Sequence, residues 1–267
     1  MTALRNRRWM RLLVLVTALL MVSSVAAGCG GGGKKSLLSQ IKKRGVMTFA
    51  TDGAYPPMEM QDPKNPGQYI GFDVDLGQAI AKKLGVKYEI KIVDWDGIIP
   101  GLTQYKYDVI MSSMNITDER SKSVDFIHYF DMGQLIVVKK GNPLKIGKLD
   151  DLKGKTIAVQ ISTTNEDVAR KIEGAKVKTF QTFPDAMLEV ANGRADATIL
   201  DEPVARYYAK IDADKYEIVG QPFERAPVGI AVPKGEKELA DAIQKALDGL
   251  HSDGTYDQIY SKWFGSP

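Results

Sequence analysis

Strand-like and helix-like stretches alternate along the chain from residue 46 onward. Apolar runs typical of strands occupy residues 46–52, 88–93, 107–111, 156–161, 176–180 and 196–200. Stretches with helical character lie between them, at residues 72–85, 97–105, 164–173 and 184–192. This alternation predicts an α/β protein with largely parallel sheets.

Two segments share one further pattern. Residues 101–113 (GLTQYKYDVIMSS) and 188–202 (LEVANGRADATILDE) each read as a helix, a basic residue, an aspartate after one more position, and an apolar strand that ends in polar residues. Two similar α/β units would place two sets of strand ends opposite each other. Ligands of open α/β sheets bind beyond the carboxyl ends of the strands, so the pattern predicts a small-molecule cleft between two lobes.

Residues 1–28 have the pattern of an export signal: a basic segment, an apolar segment and small residues that lead to Cys29. The alternative is a permanent membrane anchor, but the uncharged run 12–28 is at the lower limit for a span. The sequence VAAGC resembles the lipobox of bacterial lipoproteins, which implies that Cys29 becomes a lipid-modified N-terminus. A secretory signal with an incidental cysteine is the alternative. The glycine-rich segment 29–40 is predicted to be a flexible tether.

Removal of this signal changes the charge of the chain. The formal net charge of +3 includes four arginines of the signal, so the remaining chain carries −1. No stripe of basic and aromatic residues is present, and nucleic-acid binding is therefore not expected. The apolar fraction of 44% is that of an ordinary globular protein. Cys29 is the only cysteine, so its acylation would leave no thiol for a disulfide or a thiolate metal site.

Polar side chains follow the predicted strand at 107–111. Ser112, Ser113 and Asn115 come directly after it, and Arg120 follows within one helical turn. The planar guanidinium of Arg120 suits a carboxylate in bidentate fashion. The alternative is a surface ion pair between Arg120 and a nearby acid such as Glu119 or Asp125.

The second α/β unit offers complementary groups. Thr163 and Thr164 stand where a strand leads into a helix, and helix N-termini bind anions. A plain threonine cap is the alternative at this point. Asp201 follows an apolar strand directly, where it either receives an ammonium group or caps the helix that begins at Pro203.

These groups together fit a zwitterion such as an α-amino acid. Its carboxylate would bind Arg120 and the Thr164 amide, and its ammonium group would bind Asp201 and the oxygen of Ser113. Burial of both ligand charges is tolerable only where each is paired and hydrogen-bonded.

From about residue 45 to 265 the chain resembles the polar-amino-acid family of extracellular solute-binding proteins that serve ABC importers. The resemblance rests on the order and spacing of six segments: ATDGAYPPME, GFDVDLGQAIAKKLG, YDVIMSSMNITDERSKSVDF, GKTIAVQISTTNE, ADATILDEPVA and DGTYDQIYSKWFG. It implies a periplasmic-binding-protein fold of two α/β lobes joined by a two-strand hinge, with the chain crossing near residues 133–137 and 224–229. The implied lobes are residues 41–134 with 227–267, and residues 135–226.

The resemblance also implies roles for single residues. By position, Asp52 and Tyr55 meet the ligand side chain, and Trp95 forms an aromatic wall. The carboxylate and ammonium positions fall on Ser113, Asn115, Arg120, Thr164 and Asp201. The sequence departs from the family at Asn115, where threonine or serine is more usual, and at Ser162, where glycine is common.

Tyr55 and Trp95 are suited to enclose a flat or cationic side chain, and Asp52 to meet a guanidinium, an ammonium group or an amide. We therefore expect a basic amino acid as ligand, with glutamine next; core packing is the alternative role for the two aromatic residues. The implied fold is also similar to that of cyclohexadienyl dehydratase. The alternative function is therefore that of a cyclohexadienyl or arogenate dehydratase-like enzyme.

The expected protein is accordingly a binding protein and not an enzyme, with no cofactor and no metal. We expect a monomer that is lipid-anchored on the extracytoplasmic face of a bacterial membrane and presents its ligand to an ABC permease.

Overall fold

The described part of the chain, residues 36–265 of a computed structural model, alternates strands and helices. The strands are β1 (Val46–Thr51), β2 (Ala54–Tyr55), β3 (Glu59–Gln61), β4 (Tyr69–Ile70), β5 (Lys87–Ile92), β6 (Val109–Ile110), β7 (Val124–Lys139), β8 (Thr156–Gln160), β9 (Lys176–Phe180), β10 (Ala197–Asp201) and β11 (Tyr216–Pro233). The helices are α1 (Leu37–Arg44), α2 (Phe72–Lys83), α3 (Trp95–Thr103), α4 (Asp118–Ser121), α5 (Thr164–Lys171), α6 (Phe183–Ala191), α7 (Glu202–Ile211), α8 (Lys237–Ser252) and α9 (Thr255–Phe264), with a short 3-10 helix at Leu149–Leu152. The predicted α/β class is confirmed.

Eight strands form one mixed sheet in the order β5-β1-β6-β11-β7-β10-β8-β9. The outer neighbours pair in parallel, as predicted: β1 with β5 and β6, and β8 with β9 and β10. The two central strands, β7 and β11, are antiparallel to each other and to their outer neighbours β10 and β6. The expectation of a largely parallel sheet is therefore wrong for its centre. A separate sheet of β2, β3 and β4 is antiparallel.

β7 and β11 are long strands that run between the two groups of outer strands. Near one end, Ala231 of β11 pairs with Ile110 of β6. Near the other end, β7 pairs with β10 through Gln134–Val138. We call the part with β1, β5 and β6 the first half, and the part with β8, β9 and β10 the second half. The chain passes between the halves along the two long strands, in accordance with the two-lobed fold.

The pairing of β7 with β11 is irregular near its middle. Register shifts lie between Val219 and Phe223, between Phe223 and Ala226, and between Val228 and Gly229. Glu224, within this stretch, adopts a φ of 46°. The predicted hinge segment 224–229 coincides with this irregular stretch, and the implied lobe boundaries stay a prediction.

Helical periodicity places apolar stripes against the sheet. In α2, Phe72, Leu76 and Ile80 are fully buried at the spacing that one helix face requires. Aromatic rings of α9 surround Phe72: the ring of Tyr256 meets it edge-on at 5.8 Å, and that of Phe264 lies 5.1 Å away. These contacts hold the C-terminal helix to the first half.

The N-terminal helix corrects one predicted boundary. Residues 37–40, assigned to the flexible tether, belong to α1, which buries Leu37 and Ile41. Ser36 caps this helix by accepting a hydrogen bond from the Ser39 amide. The two buried side chains at i and i+4 explain why this segment folds onto the protein.

The predicted signal, residues 1–28, and the predicted lipidation site Cys29 lie outside the described residues. Within residues 36–265, no helix is both long and apolar enough to cross a membrane.

Gly71 provides a test of the junction between β4 and α2. Its φ is 148°, and a Cβ there would lie 2.0 Å from the carbonyl oxygen of Met58. We predict that Gly71→Ala lowers the free energy of unfolding by about 3 kcal/mol or more, since a backbone atom must move. Chemical denaturation measures this change.

Gly97 in α3 serves as the matched control. A Cβ there meets no atom within 4 Å. Gly97→Ala should leave stability unchanged or raise it by about 0.5 kcal/mol, because alanine favours a helix. Equal effects of the two substitutions would contradict the assigned role of Gly71.

Candidate functional site

A cavity of about 290 Å³ lies between the two halves, at the carboxyl ends of their inner strands. The residues that line it lie at or just after the ends of β1, β2, β6, β8 and β10, at the starts of α3, α5 and α6, and in α4. The lining residues are Asp52, Tyr55, Trp95, Ser112, Ser113, Asn115, Arg120, Gln160, Thr163, Thr164, Asn165, Phe183 and Asp201. Carboxyl ends of strands leave main-chain and side-chain polar groups free for a ligand.

All ten residues that the sequence assigned to ligand binding line this cavity. Their contacts with a ligand stay predictions. Three lining residues were not predicted: Gln160, Asn165 and Phe183. Gln160 ends β8, so the strand-end reasoning used for Asp201 was available for it. Phe183 is fully buried and has the sequence appearance of a core residue, which leaves no signal to find it.

Arg120 is positioned by the short helix α4. Thr117 caps this helix, since its hydroxyl accepts a hydrogen bond from the Arg120 amide at 3.2 Å. The guanidinium donates from Nη1 to the carbonyl of Asn115 at 2.9 Å and from Nη2 to the carbonyl of Ser162 at 3.2 Å. It also lies 5.4 Å from the centre of the Trp95 ring, in cation–π geometry.

The alternative surface ion pair of Arg120 is not formed. Glu119 pairs with Lys122, and Asp125 pairs with Lys234 at 2.6 Å. Burial lowers the pKa of Arg120, and attraction to Asp167 and Asp201 opposes this change. The guanidinium is thus a cavity group whose hydrogen bonds go to carbonyl oxygens.

Asp201 directs its side chain into the cavity. It stands at the N-terminus of α7 but makes no side-chain cap hydrogen bond. Its Oδ2 accepts a hydrogen bond from the Tyr55 hydroxyl at 2.5 Å, and its Oδ1 accepts one from Asn165 Nδ2 at 3.1 Å. The alternative that Asp201 serves as a helix cap is therefore not supported.

Several other hydrogen bonds cross the cavity from one half to the other. Trp95 Nε1 donates to the Ser162 carbonyl at 3.0 Å, and Gln160 Nε2 donates to Asp52 Oδ2 at 3.1 Å. Ser162 stands where glycine is common in the family, and its φ of 61° is in the left-handed region that favours glycine. These contacts describe a closed arrangement of the two halves.

Thr163 and Thr164 have different roles. The Thr163 hydroxyl caps α5 by accepting a hydrogen bond from the Glu166 amide at 3.1 Å, so the plain-cap alternative holds for this side chain. The Thr164 hydroxyl donates to Asn115 Oδ1 across the cavity at 2.8 Å. The amides of Thr164 and Asn165, at the start of α5, have no intrahelical partner and belong to residues that line the cavity, so they are potential hydrogen-bond donors to an anion.

Ser112 and Ser113 rest on two buried acids outside the cavity. The Ser112 hydroxyl donates to Glu59 Oε1 at 2.5 Å. Asp73 Oδ2 accepts two hydrogen bonds from Ser113, one from its amide at 2.7 Å and one from its hydroxyl at 3.0 Å. The hydroxyl groups of both serines thus donate their hydrogen bonds to the protein interior.

Comparison with known proteins places this geometry in a family. The profile of the bacterial extracellular solute-binding proteins, family 3, matches residues 47–266. The chain is 35% identical over 234 residues to the L-cystine-binding protein of Escherichia coli (strain K12), covering 87% of each. The predicted family resemblance is confirmed.

Two solved structures are similar to this fold. The ancestral amino acid-binding protein described as a precursor of cyclohexadienyl dehydratase is 45% identical, with a TM-score of 0.81 over 86% of this chain and 100% of that one. An ancestral arginine-binding protein bound to arginine is 49% identical, with a TM-score of 0.78 over 83% of this chain and 99% of that one.

Two carboxyl groups in the cavity have altered acidity. Burial raises the pKa of Asp52, although hydrogen bonds from the Ala54 amide and Gln160 oppose the change. Burial also raises the pKa of Asp201, with hydrogen bonds from Tyr55 and Asn165 acting in the opposite direction. Both groups would regain their ordinary acidity beside a cation.

The two acids behind the serines are affected as well. Burial raises the pKa of Glu59 well above its ordinary value, and the charges of Asp73 and Asp52 raise it further. Burial raises the pKa of Asp73 to about 6, against the lowering effect of hydrogen bonds from Tyr129 and Ser113.

These shifts predict an unusual pH dependence of stability. Between the ordinary pKa of about 4 to 4.5 and the raised folded values, the folded protein binds protons more tightly than the unfolded chain. Stability should therefore increase as the pH falls from 7 to 5. Glu59→Gln, which has no charge to bury, should show a smaller increase. Denaturant unfolding at the two pH values measures both proteins.

Glu119→Gln is the control, because Glu119 is exposed and lies outside the cavity. The stability of Glu119→Gln should change between pH 7 and pH 5 by the same amount as that of the wild type. A wild-type protein that is less stable at pH 5 than at pH 7 would contradict the raised pKa values, as would a Glu59→Gln variant with the full wild-type increase.

Proposed function

Because the chain belongs to family 3 of the bacterial extracellular solute-binding proteins, we propose that it captures a polar L-amino acid on the extracytoplasmic side of the membrane and delivers it to the permease of an ABC importer. Its relatives are amino-acid-binding proteins, among them the L-cystine-binding protein of Escherichia coli. The proposed receptor acts as a monomer.

The charges that line the cavity carry this proposal. Arg120 is the cationic residue of the lining, and Asp52 and Asp201 are its two acids. In the proposed complex the α-carboxylate binds Arg120 and the amides at the start of α5. The ammonium group binds Asp201, whose carboxylate already accepts two hydrogen bonds that hold it in place.

The second acid favours a ligand with a basic side chain. A zwitterion uses one cation and one carboxylate, which leaves Asp52 without a charge partner in the cavity lining. A guanidinium or ammonium group near Asp52 would compensate its charge, and a buried carboxylate requires such compensation. The similarity to an ancestral protein bound to arginine supports this choice. Glutamine, with an amide in place of the cation, is the next candidate.

The proposed mechanism is closure of the cleft. Arg120 and Asp201 lie on opposite sides of the cavity, in the first and second halves. A ligand that binds both at once favours the closed arrangement and shifts the population toward it. The closed form is then the one that the permease recognises.

A panel of ligands tests the proposal on purified protein that has been unfolded and refolded to remove bound ligand. Thermal unfolding is recorded with L-arginine, L-lysine, L-ornithine, L-glutamine, L-cystine, prephenate and arogenate. A ligand at about 100 times its Kd stabilises by roughly 2.7 kcal/mol. We expect the basic amino acids to give the largest shifts. Consumption of prephenate or arogenate, with no amino-acid shift, would make the protein a dehydratase instead.

Arg120→Ala should abolish the shift for every amino acid in the panel while the protein stays folded. Removal of a buried carboxylate partner costs about 3 kcal/mol or more, which is over a hundredfold in affinity. Arg194→Ala is the matched control, since Arg194 pairs with Glu189 on the surface of the second half. Undiminished binding in Arg120→Ala would overturn the zwitterion site.

We further propose that Cys29 carries a lipid that anchors the protein to the membrane. The VAAGC sequence and the glycines that follow it support this anchor. In cells that express the full chain, the wild type should partition with the membrane fraction, and Cys29→Ala should not. Equal partitioning of the two proteins would contradict the proposed lipid anchor at Cys29.

A further inference from the structure

Ser112 and Ser113 form a ledge of the cavity, which we call the serine ledge. Ser113 adopts a φ of 49°, in the left-handed region that few residues other than glycine occupy. Such a conformation persists only where its surroundings hold it. Neighbouring groups must therefore maintain the backbone of Ser113.

Asp73 is the group that contacts this backbone. It lies in the first turn of α2, is buried, and does not line the cavity. Its Oδ2 accepts hydrogen bonds from both the amide and the hydroxyl of Ser113. Its Oδ1 accepts one from the Tyr129 hydroxyl at 2.7 Å, which fixes the carboxylate from the other side.

The hydrogen bonds to Asp73 determine what Ser113 offers to a ligand. Both donors of Ser113 point to the carboxylate, so the residue has only acceptors left for the cavity. Acceptors suit an ammonium group and not a carboxylate. Charge-assisted hydrogen bonds to a buried carboxylate are stronger than neutral ones, which gives Asp73 the means to hold a strained residue.

Glu59 supports the neighbouring serine in a different way. It is fully buried, and its Oε1 accepts the hydrogen bond of the Ser112 hydroxyl. Its Oε2 has no hydrogen-bond partner among the described residues. Glu59 thus contacts a side chain at one point, whereas Asp73 contacts the backbone of the ledge.

We propose that Asp73 is a positioning residue for ligand binding, which holds Ser113 in its left-handed conformation and directs the acceptors of Ser113 to the ammonium group of the ligand. This inference rests on the proposed function of the cavity. Glu59 has the lesser role of supporting Ser112. A purely structural role for Asp73 would affect stability alone and would leave the Kd for the ligand unchanged.

The test uses the glycine preference of the left-handed region. Kd for L-arginine is measured by calorimetry for the wild type, Asp73→Asn, Ser113→Gly and the double variant. Asp73→Asn should weaken binding at least about tenfold, as expected for lost charge-assisted hydrogen bonds. In the Ser113→Gly background the same substitution should weaken binding less than threefold, because glycine adopts this φ without strain. Glu59→Gln should change Kd by less than about threefold, since an amide can still accept from Ser112.

Asp75→Asn is the matched control on the same helix. Asp75 accepts hydrogen bonds from Lys262 Nζ at 2.6 Å and Trp263 Nε1 at 2.7 Å, away from the cavity. The Asp75→Asn variant should bind L-arginine with the Kd of the wild type. Wild-type affinity in Asp73→Asn would overturn the inference, and so would an equal loss of affinity with serine and with glycine at position 113.

The melting temperatures of the same four proteins, without ligand, separate this inference from the proposed function. If Asp73 holds a strained Ser113, Asp73→Asn lowers the melting temperature less in the Ser113→Gly background. This coupling is measurable even if the wild type does not bind L-arginine, and its absence would overturn the inference. If Asp73→Asn does not fold, Tyr129→Phe replaces it in both measurements. Tyr129→Phe removes one hydrogen bond of Asp73 and should weaken binding about threefold. The loss of affinity should be smaller in the Ser113→Gly background.

Discussion

β7 and β11 pair antiparallel from Tyr216 opposite Lys139 to Pro233 opposite Val124. A group of three parallel strands extends the sheet from each end of this pair, β1, β5 and β6 at one end and β8, β9 and β10 at the other. Because the outer strands on both sides run toward the middle of the pair, their carboxyl ends meet there. The cavity follows from this arrangement. The irregular register in the middle of the pair lies beside the same cavity, since Asn115 of the lining forms a bridge with Val228.

Charge is the second physical constraint on this cavity. One guanidinium and two carboxyl groups line it, and Glu59 and Asp73 are buried behind it. Isolated charges at such depth are unfavourable, and the structure compensates them with hydrogen bonds. Arg120 donates to two carbonyl groups, and Asp201 accepts from a hydroxyl and an amide. A zwitterion brings its own opposite charges, so the proposed ligand completes pairs for which the protein already provides the geometry.

Sequence periodicity located most of the elements to within a few residues. The predicted strands and helices from residue 46 to residue 200 recur as β1, β5, β6, β8, β9 and β10 with their helices. The central pair was not resolved as two long strands, since the buried and exposed positions along β7 and β11 follow no single alternation. The small sheet of β2, β3 and β4 was missed because strands of two or three residues carry no periodic signal. The first residues of α1, from Leu37 to residue 40, were assigned to a tether on composition alone.

For the site, the amino-acid sequence by itself determined the chemistry of the strand ends: hydroxyls and an arginine after β6, threonines after β8 and an acid at the end of β10. Local rules suffice for these residues, because strand ends and helix starts are defined by near neighbours in the chain. Tertiary structure alone decided which alternatives hold. Asp201 meets Tyr55 from the opposite half, and Arg120 meets the carbonyl of Ser162. It also decided the role of Asp73, since a contact between residues 40 positions apart depends on how the sheet and its helices pack.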